Sequence, residues 1–163
     1  MNTRKETVHA SEVIYFDDLT VLGQKKILGK SIVGTPKKND DVTISEAYHS
    51  YYDELLQDVR VGNKRASSTI MWDCHSAAFT YETESYLRFD YFRKKVQTRM
   101  VKDALHGQIV HNDDIKRVTV SEQYVEDGDI KQKVTATSFA ECWMLTWNCN
   151  KVCFDIVNQE IGQ

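Results

Sequence analysis

No more than nine consecutive residues anywhere in this chain lack Asp, Glu, Lys and Arg, the longest such stretches being residues 104–112 and 142–150. A helix that crosses a membrane needs about 20 predominantly apolar residues, so that class is excluded. Proline occurs once, at Pro36, and glycine seven times. No linker or low-complexity stretch therefore divides the chain, and it is read as free of internal repeats. With 163 residues, 41% of them apolar and 28% charged, it has the size of a single domain and the composition of a globular protein. The N-terminal Met-Asn-Thr-Arg-Lys-Glu-Thr is charged and precedes no apolar segment. It reads as a short flexible start and not as a secretory signal, so residence in the cytoplasm is expected. Cys74, Cys142, Cys149 and Cys153 are accordingly expected as free thiols. The C-x6-C-x3-C spacing of the last three lacks the C-x2-C knuckles of a zinc site.

Residues 13–16 form a short β-rich run, and residues 21–33, broken by Gly23 and Gly29 and with Lys between the apolar positions, read as a strand or bent hairpin. From Ile44 to Val59 apolar residues recur at three- and four-residue steps. That spacing predicts an amphipathic helix with Tyr48, Tyr51, Leu55 and Val59 facing the core. Thr43 three residues before Glu46 reads as its capping box and Gly62 as its exit. Residues 67–81 alternate as a half-buried strand with a break near His75-Ser76. A second helix is predicted over about residues 90–105, where Phe92, Val96, Met100 and Ala104 recur every four residues before Gly107, although residues 86–92 also alternate like a strand. Two hairpins follow, residues 118–125 with 130–139 around Asp127-Gly128, and residues 142–147 with 152–157. The expected fold is α+β, a single domain with two helices on one face of an antiparallel meander.

Catalytic signatures are lacking: the glycines form neither G-x-G-x-x-G nor a P-loop, and there is no G-x-S-x-G or H-E-x-x-H. Cys74 and His75, adjacent on a strand, point to opposite faces. His49 and Asp53 read as a solvated pair, and Asp113-Asp114 and Asp127-Gly128-Asp129 as turns lacking the ligands of a calcium loop. No catalytic residue, cofactor, metal or small-molecule substrate is expected.

Charge is segregated instead. Lys25, Lys26, Lys30, Lys37 and Lys38 stand in residues 19–38 without an acid, and Arg88, Arg93, Lys94, Lys95, Arg99 and Lys102 face only Asp90 and Asp103 in residues 86–106. Residues 40–58 hold six acids and no base, and the chain as a whole carries −3. Such segregation suits an anionic partner and head-to-tail contact between copies of the chain, and the eleven basic residues named are the expected contacts.

The order basic strand (residues 25–33), capped helix (43–59), Gly62-Asn63-Lys64-Arg65 link and apolar strand (69–74) resembles, over about a third of the chain, the matrix proteins of rhabdoviruses, above all the short ones of plant-infecting members. The resemblance implies a non-enzymatic virion protein of the host cytoplasm that bridges a nucleoprotein–RNA complex, an acidic membrane surface and itself. The single proline leaves no room for the family's P-P-x-Y motif, and the net charge is acidic where the family tends to be basic. The competing expectation is a small cytosolic enzyme or ligand-binding domain with a pocket between helices and curved sheet.

Overall fold

The computed structural model describes residues 5–8, 13–82, 84–105, 115–139 and 141–157. In chain order its elements are β1 (Lys5–Val8), a 3-10 turn (Phe16–Asp18), α1 (Val21–Gly29), β2 (Asp41–Ile44), β3 (Tyr48–His49), β4 (Leu55–Gly62), β5 (Ser67–Asp73), β6 (Ala78–Phe79), a second 3-10 turn (Phe89–Tyr91), α2 (Lys94–Ala104), β7 (Arg117–Val120), β8 (Tyr124–Glu126), β9 (Asp129–Thr137), β10 (Cys142–Asn148) and β11 (Cys153–Val157). The fold is α+β with two helices and antiparallel strands, as expected, but the strands form two sheets instead of one meander. The chain divides into two compact units. The first spans Glu12–Leu87 with Tyr91–Arg93; the second spans Met1–Ser11, Arg88–Asp90 and Lys94–Gln163. The first holds the sheet β2-β4-β5-β6 with β3 also on β4, the second the sheet β1-β11-β10-β9-β7 with β8 also on β9.

The helix expected over residues 44–59 is not formed. Those residues supply the end of β2, all of β3 and most of β4. In β4 Gln57, Val59 and Val61 are buried while Asp58 is half-buried and Arg60 exposed, the two-residue period of a strand. Ser45 and Ser50 divert the backbone from helix. Ser45 Oγ accepts the Asp58 amide at 2.8 Å, and Ser50 Oγ accepts the amides of Tyr52 and Glu54 at 3.2 and 3.1 Å. Asp53, at φ 62, closes the turn. Tyr51 and Tyr52 consequently stand 96% and 81% exposed at a hairpin tip, and Tyr48 is also exposed, where the helix would have buried Tyr48 and Tyr51.

The strand expected over residues 21–33 is likewise mostly a helix, α1. Thr20 Oγ caps it by accepting the Gly23 amide at 3.0 Å, and Gly23, Gln24, Ile27 and Leu28 face inward. Gly23 is not a breaker here. A Cβ on it would stand 2.7 Å from the carbonyl oxygen of Tyr91, so glycine permits the helix to approach that backbone. Residues 13–15 form no strand, though Ile14 N–H bonds Cys74 O at 2.9 Å. The helix expected over about residues 90–105 is present from Lys94, with Val96, Gln97, Met100, Val101 and Ala104 buried. Residues 67–81 supply β5 and the short β6, residues 86–92 form no strand, and the strand expected over 118–125 is divided into β7 and β8, both paired with β9. The hairpin of β10 with β11 is found, and Asp127 and Gly128, with φ 53 and 82, make the two-residue turn their sequence predicts.

Comparison of the two units corrects the reading that the chain lacks a repeat. Val42-Thr43-Ile44-Ser45-Glu46-Ala47-Tyr48 corresponds to Val118-Thr119-Val120-Ser121-Glu122-Gln123-Tyr124, Trp72-Asp73-Cys74 to Trp147-Asn148-Cys149, and Phe16-Asp17 to Phe89-Asp90. One sheet row reads Gln57, Trp72, Phe79 in the first unit and Gln132, Trp147, Phe154 in the second. Gln57 accepts the Phe16 amide at 2.7 Å and donates to Asp17 at 2.9 Å and the Ser45 carbonyl at 3.2 Å. Gln132 accepts the Phe89 amide at 2.8 Å and donates to Asp90 at 2.8 Å and the Ser121 carbonyl at 3.2 Å. Ala77 and Val152 repeat the same left-handed turn, with φ 53 and 54. The aromatic cores match as well. Phe16, Trp72 and Phe79 have ring centroids 5.1–5.7 Å apart, and Phe89, Trp147 and Phe154 lie 5.0–5.2 Å apart. The chain is thus one helix-and-sheet unit built twice.

Candidate anionic-partner surface

The inward faces of the helices determine which basic side chains meet water. In the first unit Gln24, Ile27 and Leu28 point into the core, leaving Lys25, Lys26 and Lys30 exposed, with the Lys30 ammonium 4.0 Å from the Tyr86 ring centroid. Lys37 and Lys38 are exposed in the loop after Pro36, and Arg93 is exposed but donates from Nε to Leu19 O at 3.2 Å. In the second unit Lys94, Lys95 and Arg99 are exposed on α2 and Lys102 is half-buried. Arg88 is half-buried and engaged within its unit: its Nε bonds Asp90 at 3.0 Å and its Nη1 bonds Gln123 at 3.3 Å. Burial pushes the Asp90 carboxyl upward, but the bonds from Gln132 and Arg88 outweigh it and hold the group below its ordinary value. The eleven basic residues therefore do not act as one set. Lys94 Nζ donates to Val118 O at 3.5 Å, and the helix cations that reach water are Lys25, Lys26 and Lys30 at α1 and Lys94, Lys95 and Arg99 on α2.

The two helices present different surfaces. The outward face of α1 combines Lys25 and Lys26 with Val21 and Leu22, which are 62% and 66% exposed. The outward face of α2 has no exposed apolar residue, and its first turn opens with Lys94 and Lys95 and contains no acid. Helix dipoles favour carboxylates at that end, by about 0.3–1 kcal/mol each, so two ammonium groups there oppose helix stability. The exposed apolar pair of α1 escaped sequence reasoning because its segment was read as a strand. The tyrosine tip at residues 51–52 escaped because its segment was read as a helix.

The other chemical candidates do not assemble. Cys74 is buried beside Gln57, with Sγ 3.8 Å from Oε1, while His75 is exposed. His49 Nδ1 and Asp53 Oδ1 are 3.4 Å apart but 67% and 94% exposed, at a turn and not on a helix. Asp113-Asp114 lies outside the described residues, and Asp127-Gly128-Asp129 is the hairpin turn. Among the described residues no group of three or more His, Cys, Asp or Glu is placed to hold a metal, and no helix is long and apolar enough to cross a membrane. Comparison with family models, curated proteins and solved structures found no match. The element order that resembles the matrix proteins is not the order found, since residues 25–29 are helical and the strands β2–β4 replace the capped helix.

All four cysteines are free, Cys142 exposed and the rest buried. Burial pushes the thiols of Cys74 and Cys149 up to about 12 and that of Cys153 to about 11. A folded-state pKa above the unfolded one means that the unfolded chain loses protons first. This stability is therefore complete below about pH 8.5 and lost as pH rises through the folded values. At pH 8, iodoacetamide followed by intact-mass analysis should add one label quickly, at Cys142, and four only in denaturant. Rapid labelling of a second thiol would place it at the surface.

Proposed function

We propose that this chain is a non-catalytic assembly protein of the cytoplasm that binds an anionic partner, a nucleoprotein–RNA complex or an acidic membrane surface, through α2, and that it self-associates. The observation that carries the reading is the pair Lys94 and Lys95, exposed at the helix end where folding alone favours acids. Lysines held there, beside the amide N–H groups of the first turn, concentrate positive potential where an anion would sit. Arg99 and Lys102 extend the same charge along the helix.

The double reversal Lys94→Glu/Lys95→Glu separates binding from folding. Its melting temperature should stay near the parent's, because the dipole's preference for the new carboxylates offsets the loss of the Lys94 Nζ bond to Val118 O. It should also abolish co-sedimentation with phosphatidylserine vesicles and with RNA-loaded nucleocapsid particles at low salt. The unaltered chain should itself release both by 1 M salt, where the screening length falls from about 8 Å at physiological strength to about 3 Å. If the variant sediments like the parent, or if the parent binds neither probe at low salt, the reading fails.

A further inference from the structure

The repeat supplies an internal control for one surface feature. Both units build a hairpin after the same Val-Thr-x-Ser-Glu-x-Tyr run, β3 with β4 and β8 with β9. The second unit closes it with Asp127-Gly128 alone. The first inserts one residue and closes through residues 50–54. There Ser50 N–H bonds Glu54 O at 2.8 Å, Asp53 N–H bonds Ser50 O at 3.0 Å, and Ser50 Oγ takes two further amides. Backbone and serine hold that turn. The side chains of Tyr51 and Tyr52 form an edge-to-face pair with centroids 5.3 Å apart, almost wholly in water. Keeping two aromatic rings in water forgoes the free energy of burying them, and the second unit shows that the hairpin does not require them.

The surroundings indicate what would cover these rings. Asp53 is 94% exposed beside them with His49 as its neighbour at 3.4 Å, Glu46 is exposed, Glu54 is half-buried, and residues 40–58 contain no Lys or Arg. An aromatic pair among carboxylates fits a surface that is apolar and cationic together. The chain carries one on α1, where Val21 and Leu22 precede Lys25 and Lys26 by one turn and all four are exposed. We propose that the Tyr51–Tyr52 tip of one copy docks on the outward face of α1 of a second copy, rings against Val21 and Leu22 and carboxylates toward Lys25 and Lys26. The proposal rests on the self-association in the function proposed above and gives it an interface. The two patches differ, so the contact is heterologous and each copy keeps a free donor and a free acceptor. A tip of this size buries on the order of a few hundred Å² per partner, which makes the contact weak and concentration-dependent.

Sedimentation velocity over a range of protein concentration and salt tests it. The parent should grow in mass with concentration at low salt. Tyr51→Ala/Tyr52→Ala and, separately, Leu22→Asp/Lys25→Glu should each raise the concentration for half-association at least about tenfold, with melting temperatures unchanged because all four positions are exposed. Mixing the two variants should give a dimer and nothing larger, since one retains only the acceptor face and the other only the tip. A parent that stays monomeric, variants that associate like the parent, or a mixture that does not pair overturns the proposal. Vesicle and nucleocapsid binding through α2, followed in the same samples, should persist in both variants. Its loss in the parent overturns the function reading while leaving the docking result to stand or fall by itself.

Discussion

Trp147→Ala should lower the stability of the protein by about 3–5 kcal/mol, the usual range for truncating a fully buried large aromatic side chain. Trp147 has no exposed surface and packs within 5.0–5.1 Å, centroid to centroid, of Phe154 and Phe89. Its loss leaves a cavity that two rigid rings cannot fill by changing rotamer. Trp72→Ala should cost a similar amount in the first unit, where Trp72 is equally buried and its indole N–H also bonds the Ile14 carbonyl at 2.8 Å. Urea denaturation followed by circular dichroism measures both. Trp147→Phe, which keeps a ring in the cluster, should recover part of the loss. A change below about 1 kcal/mol for either alanine variant would show that these rings are not the centres of the two cores.

Gln57→Leu and Gln132→Leu should each destabilise by about 2–4 kcal/mol, although leucine is more apolar and similar in size. The two glutamines are 3% and 0% exposed. Each amide accepts a backbone N–H from the 3-10 turn before a helix and donates to a carboxylate and a serine carbonyl. Leucine leaves those groups without partners, at about 1–3 kcal/mol for each that water does not reach. Acid denaturation gives a second readout. Because the Gln132 and Arg88 bonds hold the Asp90 carboxyl below its ordinary value, the stability it contributes is complete above the unfolded value near pH 3.9 and lost as pH falls through the lower folded value. Gln132→Leu should flatten that part of the profile. A neutral result in one unit and a loss in the other would mean that the two networks do not play the same part.

Sequence alone determined the features whose physics is local or one-sided. Asp127-Gly128 specifies its turn because both positions need positive φ. The helical spacing of Val96, Met100 and Ala104 specifies the buried face of α2, and continuous charge along the chain excludes a membrane-spanning helix. The exposure of most of the basic residues also followed from composition, because burying an unpaired ammonium is costly. Tertiary structure decided the rest. Between Ile44 and Val59, steps of three and four residues fit a helix, yet they also arise when two strands of period two are joined by a turn. Pairing of β4 with β2 before it and with β5 across residues 63–66 selected the strands. Gly23 reads as a breaker until the Tyr91 backbone stands 2.7 Å from where its Cβ would be. The repeat escaped notice because its two copies share few residues beyond Val-Thr-x-Ser-Glu-x-Tyr, Phe-Asp and a Trp-x-Cys at the end of one strand. Only when Gln57 and Gln132 each join a 3-10 turn, a serine carbonyl and a thiol, Cys74 at 3.8 Å and Cys149 at 3.6 Å, do those scattered identities become one unit repeated. That occurs because a buried amide must satisfy its hydrogen bonds with whatever the fold brings to it, and the residues it needs lie 12 to 41 positions away in one unit and 11 to 43 in the other.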